Sequence, residues 1–461
     1  MIDFKKKIIY GWSKSHFSKC DYFETSNNEQ IIEIFDFAKK NNKKIAFRAG
    51  GKSYGDNTLN KNNIVLKHTS KDNIFLLDEK KSEIVVSGSC TLIELIKFIV
   101  PKGLMLYVSP ASQFITVAGS ISNNVHGKNC PSKGYFGDYI EEIEILTPDK
   151  GVVSCSKLQN SEFFYSIISG LGAFGVILKT KVRLRKINTI KVNTDSTYVA
   201  NINDAVEKSE NLVKSHEYNI GSLNFTRFNN NSTAGRIYSS NFSDEIDLKV
   251  SSTDANILIY MINSGLLLNK IPLIDKLIEY FFSKITSRNS SNSKNTIQNF
   301  FSMNFLSDKY LPFYNNFFRH GFIEYQVLFN ANNYLKAVHK INELIINNGY
   351  SSYMTSFKSF KNSDPKYIFG LSKNGYCLTL DIPFYKEKKF QSVIRKMNEI
   401  TIKYEGQVYM GKTPCLNNQE FKAMYKNYNQ FKIIKKVYDS NFIIVSDMIN
   451  RVFNDIDKCK Y

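Results

Sequence analysis

The sequence is poor in arginine, in paired cysteines and in long apolar runs. Lys and Arg together number 61 and Asp and Glu 42, which gives the 461 residues a formal net charge of +19. Only nine of the basic residues are arginine, the side chain best suited to bidentate contacts with bases and phosphates, and the lysines are spread along the chain. We therefore expect a lysine-rich surface and no nucleic-acid partner, and keep a basic nucleic-acid-binding protein as the non-enzymatic alternative.

The cysteines exclude two further classes of protein. They number seven, an odd count, and none stands in a CxxC pair. This indicates neither a disulfide framework nor a zinc site, so we expect no metal. Reduced thiols are typical of a cytoplasmic protein, and residues 1–9 carry lysines without an apolar run of signal-peptide length behind them.

No stretch of the chain reaches the roughly 18 uncharged apolar residues of a membrane-spanning helix. The segment 257–282 comes nearest, but Asn263, Lys270, Asp275 and Lys276 interrupt it. It predicts one or two amphipathic helices in a core, and a role at a membrane surface is the less favoured interpretation. The expected location is the cytoplasm, with a peripheral contact at the inner membrane face as the alternative.

The chain contains helix and strand signals in two halves of different texture. Up to about residue 185 these signals alternate with glycine-rich loops, whereas beyond Lys186 glycine loops become rare and Asn and Ser more common. Residues 287–296 form a low-complexity stretch that is predicted to be a loop. Because 43% of the residues are hydrophobic, we expect a globular chain, and the length of 461 residues predicts two or three folding units. The mixed signals favour the α+β class.

Local patterns predict where the elements lie. Capping boxes at Ser26–Glu29 and Thr91–Glu94 predict two helix starts, and the second helix should end at Pro101. The remaining signals predict strands at 44–47, 64–66, 84–86, 140–147, 152–153, 176–184, 322–329, 353–357, 367–371 and 377–382, and helices at 162–168, 334–346 and 390–404.

Loops rich in small residues are the candidates for a ligand site. Residues 48–56 (RAGGKSYGD) follow a predicted strand and hold three glycines, so their N–H groups can form a nest for an anion such as a pyrophosphate. Residues 110–129 are also rich in small side chains, along which a long cofactor can lie against the backbone. Residues 170–175 match GxGxxG, but a helix precedes them and a strand follows, which is the reverse of the dinucleotide-binding order.

These loops resemble the FAD-binding domain of the vanillyl-alcohol-oxidase/p-cresol-methylhydroxylase superfamily. Residues 48–56 match its pyrophosphate loop, 116–119 and 126–127 its second FAD loop, and 172–177 its segment near the adenine. The resemblance implies a two-part FAD-binding domain, an α+β substrate domain with an antiparallel sheet, and FAD as the cofactor. The implied cofactor contacts are Phe47, Arg48, Ala49, Gly50, Gly51, Lys52, Ser53, Tyr54, Gly55, Asp56, Asn57, Ala111, Thr116, Val117, Ala118, Gly119, Asn123, Asn124, Val125, His126, Ile177 and Tyr409.

One subgroup of that superfamily, the flavin oxidases of decaprenylphosphoryl-ribose 2'-epimerases, is similar to nearly the whole chain. Short matches from Gly11-Trp12 to Ser446-Asp447-Met448 fall in the order and spacing of the subgroup. The resemblance implies three segments, namely an FAD-binding domain at 1–187, a substrate-binding domain at 188–405, and a C-terminal segment at 406–461 that returns to the FAD domain.

The same resemblance implies oxidation of a secondary alcohol of a sugar. The expected reaction is oxidation of a polyprenyl-phospho-pentose at ring carbon 2, the first half of an epimerisation that a separate NAD-dependent reductase completes. We expect Lys412 as the main catalytic side chain, because a partly desolvated amine can accept a proton or stabilise an alkoxide, and His126 as a second catalytic residue. The implied substrate contacts are Tyr54, Lys128, Glu324, Gln326, Lys358, Thr379 and Lys412.

Three positions depart from the subgroup. Lys52 stands where many relatives attach FAD through a histidine, so the FAD should be non-covalent. Glu324 replaces a glutamine, and a carboxylate there would repel a phosphate. Thr379 replaces a pocket cysteine, although Cys377 shares its face of the strand. An aldonolactone or alditol oxidase that acts on a soluble sugar is therefore the alternative enzyme.

Overall fold

The computed structural model describes residues 2–70, 73, 75–226, 233–250, 280, 292–310 and 314–453. Helices and antiparallel strands are mixed throughout, which confirms the α+β class. The six cysteines in these ranges are free and buried. Within the same ranges, no helix has both the length and the apolar character needed to cross a membrane. The segment 257–282, apart from residue 280, lies outside the described residues.

The strands are β1 Lys5–Tyr10, β2 Phe17–Thr25, β3 Ile45–Phe47, β4 Ile64–His68, β5 Phe75–Asp78, β6 Glu83–Ser87, β7 Leu104–Leu106, β8 Ile140–Thr147, β9 Gly151–Ser156, β10 Val176–Lys186, β11 Lys191–Val199, β12 Tyr218–Phe225, β13 Gly235–Phe242, β14 Ser293–Asn299, β15 Phe322–Asn330, β16 Ser352–Phe360, β17 Gly375–Pro383 and β18 Gln407–Val408. The helices are α1 Asn28–Lys40, α2 Leu92–Ile99, α3 Val117–Ser122, α4 Cys130–Lys133, α5 Ser161–Ile167, α6 Ile202–Ser215, α7 Phe300–Asn304, α8 Leu306–Tyr310, α9 Ala331–Asn347, α10 Lys388–Lys403, α11 Asn418–Met424, α12 Tyr428–Tyr438 and α13 Asp447–Val452.

The first sheet has the order β1-β2-β4-β3. Helix α1 buries Ile31, Ile34, Phe35 and Ala38 at helical spacing. The predicted capping box of Ser26 and Glu29 is wrong, because the cap of α1 is Asn27, whose side chain accepts a hydrogen bond from the N–H of Glu29 at 2.7 Å. Asn and Ser cap a helix about equally well, so the pattern alone left the start uncertain by one residue.

The second sheet has the order β5-β6-β10-β8-β9, and β7 also pairs with β10. Its β8–β9 hairpin and its long strand β10 confirm the predicted strands there. The capping box of Thr91 and Glu94 is also confirmed at the start of α2. That helix ends at Ile99 and continues as a short 3₁₀ turn that contains Pro101.

The third sheet is antiparallel, with the order β14-β11-β13-β12-β16-β17-β15-β18. Strand β14 covers part of the predicted loop at 287–296, so that prediction is wrong from residue 293 onwards; residues 287–291 lie outside the described part of the chain. Pairing with β11 uses backbone groups, which a polar sequence supplies as well as an apolar one.

The predicted strand at 367–371 is also wrong. These residues form turns, and the side chain of Phe369 packs against the rings of Phe421, Phe431 and Phe453 of the C-terminal segment. The apolar side chains of residues 367–371 are therefore buried by contact with the C-terminal segment rather than by sheet formation. A short apolar run does not show which of these two kinds of burial occurs.

The C-terminal segment contacts all three sheets. Strand β18 pairs with β15 in the third sheet. The N–H of Ile45 in β3 donates to the carbonyl of Ile443, and the N–H of Val445 donates back to Ile45. The ring of Phe431 in α12 packs against the ring of Phe174, which lies two residues before β10 of the second sheet. The boundaries at 187 and 405 stay predictions, although the first two sheets end at Lys186 and the third begins at Lys191.

Candidate active site

A long cavity of about 400 Å³ is lined by the small-residue loops of the first two sheets and by residues of β16 and of the turn after β18. It brings together most of the expected cofactor contacts. Those that line it are Phe47, Arg48, Ala49, Gly50, Gly51, Lys52, Ser53, Tyr54, Asn57, Ala111, Thr116, Ala118, Gly119, Asn123, Val125, His126, Ile177 and Tyr409.

The loop at 48–56 presents its backbone to the cavity. In the part of the chain that the structure describes, none of the N–H groups from residue 49 to residue 53 donates to a protein acceptor. Gly51 has φ = +64°, a conformation that disfavours any side chain, and a Cβ there would lie 2.6 Å from Nη2 of Arg48. Unpaired N–H groups in a glycine loop, with an arginine beside them, form an anion nest that fits a pyrophosphate.

Four of the expected contacts lie outside the cavity lining and support it from behind. Gly55 packs so closely on Pro414 that a Cβ would lie 2.3 Å from it. Asp56 is buried in an ion pair with Arg451, and Val117 lies in the main core. Asn124 accepts a hydrogen bond from the N–H of Gly137 at 2.9 Å.

The GxGxxG segment and the two residues after it also line the cavity. Leu171, Gly172, Gly175, Val176 and Ile177 all border the cavity, although only Ile177 is among the expected contacts. A Cβ on Gly172 would meet nothing within 4 Å, which fits a glycine facing open space. The segment is held from outside, because Nζ of the fully buried Lys435 donates to the carbonyl of Ala173 at 2.7 Å.

Several lining residues were not among the individual contacts expected from the sequence, although some lie in the ranges 110–129 and 172–177 that it singled out. They are Trp12, Thr58, His68, Gly88, Ser89, Pro110, Ser112, Phe114, Ile115, Ser122, Ser307, Asp308 and Gly411, together with Leu171, Gly172, Gly175 and Val176. Gly88-Ser89 directly follows a predicted strand, a signal that the sequence offered. Asp308 had no such signal, since its carboxylate is fixed by accepting from the N–H of Gln113, 195 residues away.

Lys412 is held above the third sheet by a tight turn. The N–H groups of Lys412 and Thr413 donate to the carbonyl of Tyr409, and the hydroxyl of Thr413 donates to the carbonyl of Glu324 at 2.8 Å. A Cβ on Gly411 would lie 2.7 Å from the Tyr409 ring, so the turn requires glycine there. Nζ of Lys412 lies 2.7 Å from Oε1 of Glu324 and 4.8 Å from the centre of the Tyr54 ring.

Strand register gathers the polar side chains of the third sheet on one face. Glu324 pairs with Asp381, and Gln326 with Thr379, across β15 and β17. Lys358 of β16 pairs with Cys377 of β17. Of this set, only Lys358 lines the cavity; the others lie behind it, buried. Tyr325, the neighbour of Glu324, points to the other face and bonds to Thr401 of α10, as strand alternation requires.

The two carboxyl groups share one buried site. Burial, and next the neighbouring Glu324, raise the pKa of Asp381 well above its usual range. This shift favours the protonated form of Asp381, and Glu324 is the carboxylate that lies within ion-pair distance of the Lys412 ammonium. The ion pair compensates the negative charge that the sequence places at this position.

His126 is neutral and fully engaged. Burial first, and then the charges of Lys358 and Lys412, lower the pKa of His126 well below its usual range. Its Nε2 lies 2.7 Å from the side-chain amide of Gln326, and its Nδ1 lies 3.4 Å from Nζ of Lys358. The network is satisfied when the Gln326 amide oxygen faces His126, so that Nε2–H donates to it and Nδ1 accepts from Lys358.

Lys128 lies away from the cavity lining. Its Nζ is buried and donates to the carbonyl of Met303. Burial, and next Lys358, lower the pKa of Lys128 to about 7. Thr379 is also buried outside the lining, and Sγ of Cys377, on the same strand, lies 3.4 Å from the side-chain amide of Gln326.

Comparison with known proteins agrees with this geometry. Residues 22–156 match the family model described as an FAD binding domain, and the anion nest and the glycine-lined cavity fit that cofactor. The protein is an FAD-dependent oxidoreductase with an FAD-binding domain of the vanillyl-alcohol-oxidase/p-cresol-methylhydroxylase type.

The resemblance to one subgroup extends through the third sheet. The chain is 22% identical to decaprenylphosphoryl-beta-D-ribose oxidase of Mycolicibacterium smegmatis over 97% of both chains. It is 24% identical to L-gulonolactone oxidase of Bos taurus over 43% of this chain and 44% of that one. It is also 24% identical to D-arabinono-1,4-lactone oxidase of Debaryomyces hansenii, over 42% of this chain and 39% of that one.

The position of Lys52 leads to a prediction about the cofactor. Its side chain lines the cavity, with Nζ 5.3 Å from the centre of the Phe114 ring, and an amine cannot form the histidyl bond that many relatives use. Acid precipitation of the yellow protein should therefore leave all of the flavin in the supernatant. A yellow pellet would contradict this and direct attention to His68 or His126, two histidines in the lining.

Proposed function

We propose that the protein oxidises a secondary alcohol of a lipid-linked sugar, at ring carbon 2 of a polyprenyl-phospho-pentose. The observation that carries the proposal is the similarity over 97% of both chains to a relative named decaprenylphosphoryl-beta-D-ribose oxidase. The lactone oxidases match less than half of the chain, whereas this similarity includes β15, β16 and the turn that carries Lys412. A separate NAD-dependent reductase would complete the epimerisation.

The proposed sites follow from the three sheets. FAD would bind to the loops of the segment 1–187, with its pyrophosphate in the nest at 48–56 and its flavin toward Tyr409. The sugar would bind between the flavin and the polar face of the segment 188–405. FAD, when bound, supplies the acceptor for the hydride that leaves the carbinol carbon. The chain's own residues must orient the hydroxyl and remove its proton.

Lys412 is the residue that we propose for this task. Its ammonium can donate a hydrogen bond to the substrate oxygen and stabilise the negative charge that develops on that oxygen as its proton leaves. Glu324, 2.7 Å from Nζ, can accept a proton from Lys412 while Lys412 takes the hydroxyl proton. The substrate oxygen then loses its proton, Glu324 gains one, and Lys412 is unchanged.

Lys358 and His126 form the second half of the proposed substrate site. His126 accepts from Lys358 and so directs that ammonium along the wall of the cavity, where it can meet the substrate phosphate as a point charge. Because Lys412 compensates Glu324, the carboxylate at that position is compatible with a phosphosugar. Tyr54 lies beside Lys412 and would support the sugar ring.

An aldonolactone or alditol oxidase remains the second candidate, since two lactone oxidases are among the relatives. An anaerobic screen that follows the loss of flavin absorbance separates the two. A polyprenyl-phospho-pentose should bleach the flavin, and free lactones and alditols should not. Bleaching by a lactone or alditol, with peroxide formed on admission of air, would favour the second candidate and contradict the first.

A further inference from the structure

The hairpin of β1 and β2 carries an exposed apolar cluster. Ile8, Tyr10 and Phe17 are 58%, 49% and 59% exposed. Tyr10 pairs with Phe17, with ring centres 5.5 Å apart, and the next pairs on the same face are Ile8 with Lys19 and Lys6 with Asp21. The hairpin patch, defined as Lys6, Ile8, Tyr10, Phe17 and Lys19, is therefore one continuous surface with apolar side chains at the turn and lysines behind them.

The patch lies beside the catalytic end of the cavity. Trp12 is two residues from Tyr10, a separation of at most about 7 Å along the chain, and it lines the cavity. The Trp12 and Tyr54 rings lie 4.7 Å apart, and Lys412 lies over the Tyr54 ring.

The turn of the hairpin is fixed to both halves of the molecule. The N–H of Trp12 donates to the carbonyl of Ser53 at 2.8 Å, and the N–H of Phe322 donates to the carbonyl of Ser13 at 3.0 Å. Its orientation relative to the cavity is thus defined by the loop at 48–56 and by β15.

The charge around the patch decides which partner it fits. Lys5, Lys6 and Lys7 follow one another on β1, and Lys19 lies across from Ile8. Asp21 is the acidic residue of this face, and it is ion-paired with Lys6 and 3.9 Å from Nζ of Lys43. Apolar side chains surrounded by lysines are complementary to an anionic lipid surface. The apolar side chains can enter the interface of the lipid, and the lysines can pair with its anionic headgroups.

A second copy of the chain fits the same surface poorly. β1 is an edge strand of its sheet, and in the described part of the chain its outer edge has no partner strand. β1 carries three consecutive lysines, and lysines on an edge strand are a common device against pairing of that edge with another copy.

We propose that the hairpin patch docks the enzyme on an anionic lipid surface and so holds the catalytic end of the cavity where a lipid-linked sugar is presented. The purpose of this docking rests on the proposed function, whereas the position of the hairpin patch does not depend on the reaction. Ile8, Tyr10 and Phe17 enter the interface, and Lys6 and Lys19 remain at the headgroups.

The test is sedimentation of the full-length, FAD-loaded protein with vesicles. We expect binding to vesicles of phosphatidylcholine and phosphatidylglycerol, weakened by salt, and little binding to phosphatidylcholine alone.

Tyr10→Ser combined with Phe17→Ser should weaken binding at least about tenfold, because two large apolar side chains are lost from the interface. Lys19→Glu should weaken binding to the anionic vesicles. Leu158→Ser is the matched control, since Leu158 is 98% exposed in the bend that follows β9, and it should bind as the wild type does.

The outcomes separate this inference from the proposed function. Equal binding to both kinds of vesicle, or full binding by the Tyr10→Ser, Phe17→Ser variant, would overturn the docking surface. Loss of a concentration-dependent dimer in that variant would assign the patch to a second copy and also overturn it. Bleaching by a soluble short-chain phosphosugar should be unchanged in the variant; absence of bleaching in the wild type would instead overturn the proposed function.

Discussion

Replacing Lys412 by alanine is expected to leave a yellow, FAD-loaded protein whose flavin no longer bleaches with substrate on the wild-type timescale. The turn at 409–413 positions Nζ within 2.7 Å of Glu324 and over the Tyr54 ring, outside the loop that would hold the pyrophosphate. We expect anaerobic flavin reduction to slow by about 10²–10⁴-fold, the usual contribution of a positioned proton-transfer group. Stopped-flow absorbance measures the rate, and the flavin spectrum measures the FAD content.

Two controls define what the Lys412 result means. Glu324→Gln keeps the amine and removes its carboxylate, so it should slow reduction by less than Lys412→Ala does. Lys422→Ala, at an exposed position on α11, should leave the rate unchanged. Full activity of Lys412→Ala would contradict the assignment, and loss of FAD from that variant would show that Lys412 supports the cofactor instead.

The second large effect is expected at Arg451, far from the reacting atoms. Its Nε and Nη2 each lie 2.9 Å from one carboxylate oxygen of Asp56, the last residue of the loop at 48–56, and its Nη1 donates to the carbonyl of Leu416. Arg451→Met leaves the Asp56 carboxylate buried without its partner, which costs about 3 kcal/mol in such pairs. We expect a lower free energy of unfolding and a weaker affinity for FAD.

Urea unfolding of the FAD-free protein and titration of flavin fluorescence measure the two quantities. Lys191→Met is the control, because Lys191 of β11 pairs with Glu245, whose side chain is 52% exposed; exposed pairs contribute little. Asp56→Asn added to Arg451→Met should recover part of the stability. Wild-type stability and FAD affinity in Arg451→Met would contradict a bracing role for the C-terminal segment.

The sequence predicts the local parts of this site well. The glycine loop at 48–56 and the Thr91–Glu94 capping box depend on neighbouring residues, whose spacing is visible in the chain. The helix–GxGxxG–strand order at 170–175 argues against a Rossmann NAD site, and two of its three glycines, Gly172 and Gly175, border the cavity. Where two local solutions have similar free energies, as with Ser26 and Asn27 at the start of α1, the sequence does not choose between them.

The remaining features depend on contacts between distant residues. Asp56 belongs to the loop motif, but its ion pair with Arg451 spans 395 residues, so its role behind the cavity could not be predicted. The pair of Glu324 and Asp381 depends on strand register, and a one-residue shift would separate them. The segment 367–371 has a strand-like pattern, and only the position of the C-terminal aromatic residues makes it a buried turn.

The most direct test of the account is anaerobic reduction of the bound flavin by a polyprenyl-phospho-pentose deuterated at ring carbon 2. If the hydride leaves from that carbon, bleaching should be slower with the deuterated sugar than with the unlabelled one, and the product should be the 2-keto sugar. Bleaching at the same rate, with a product oxidised at another carbon, would contradict the proposed reaction. Absence of bleaching by both sugars would contradict the proposed substrate.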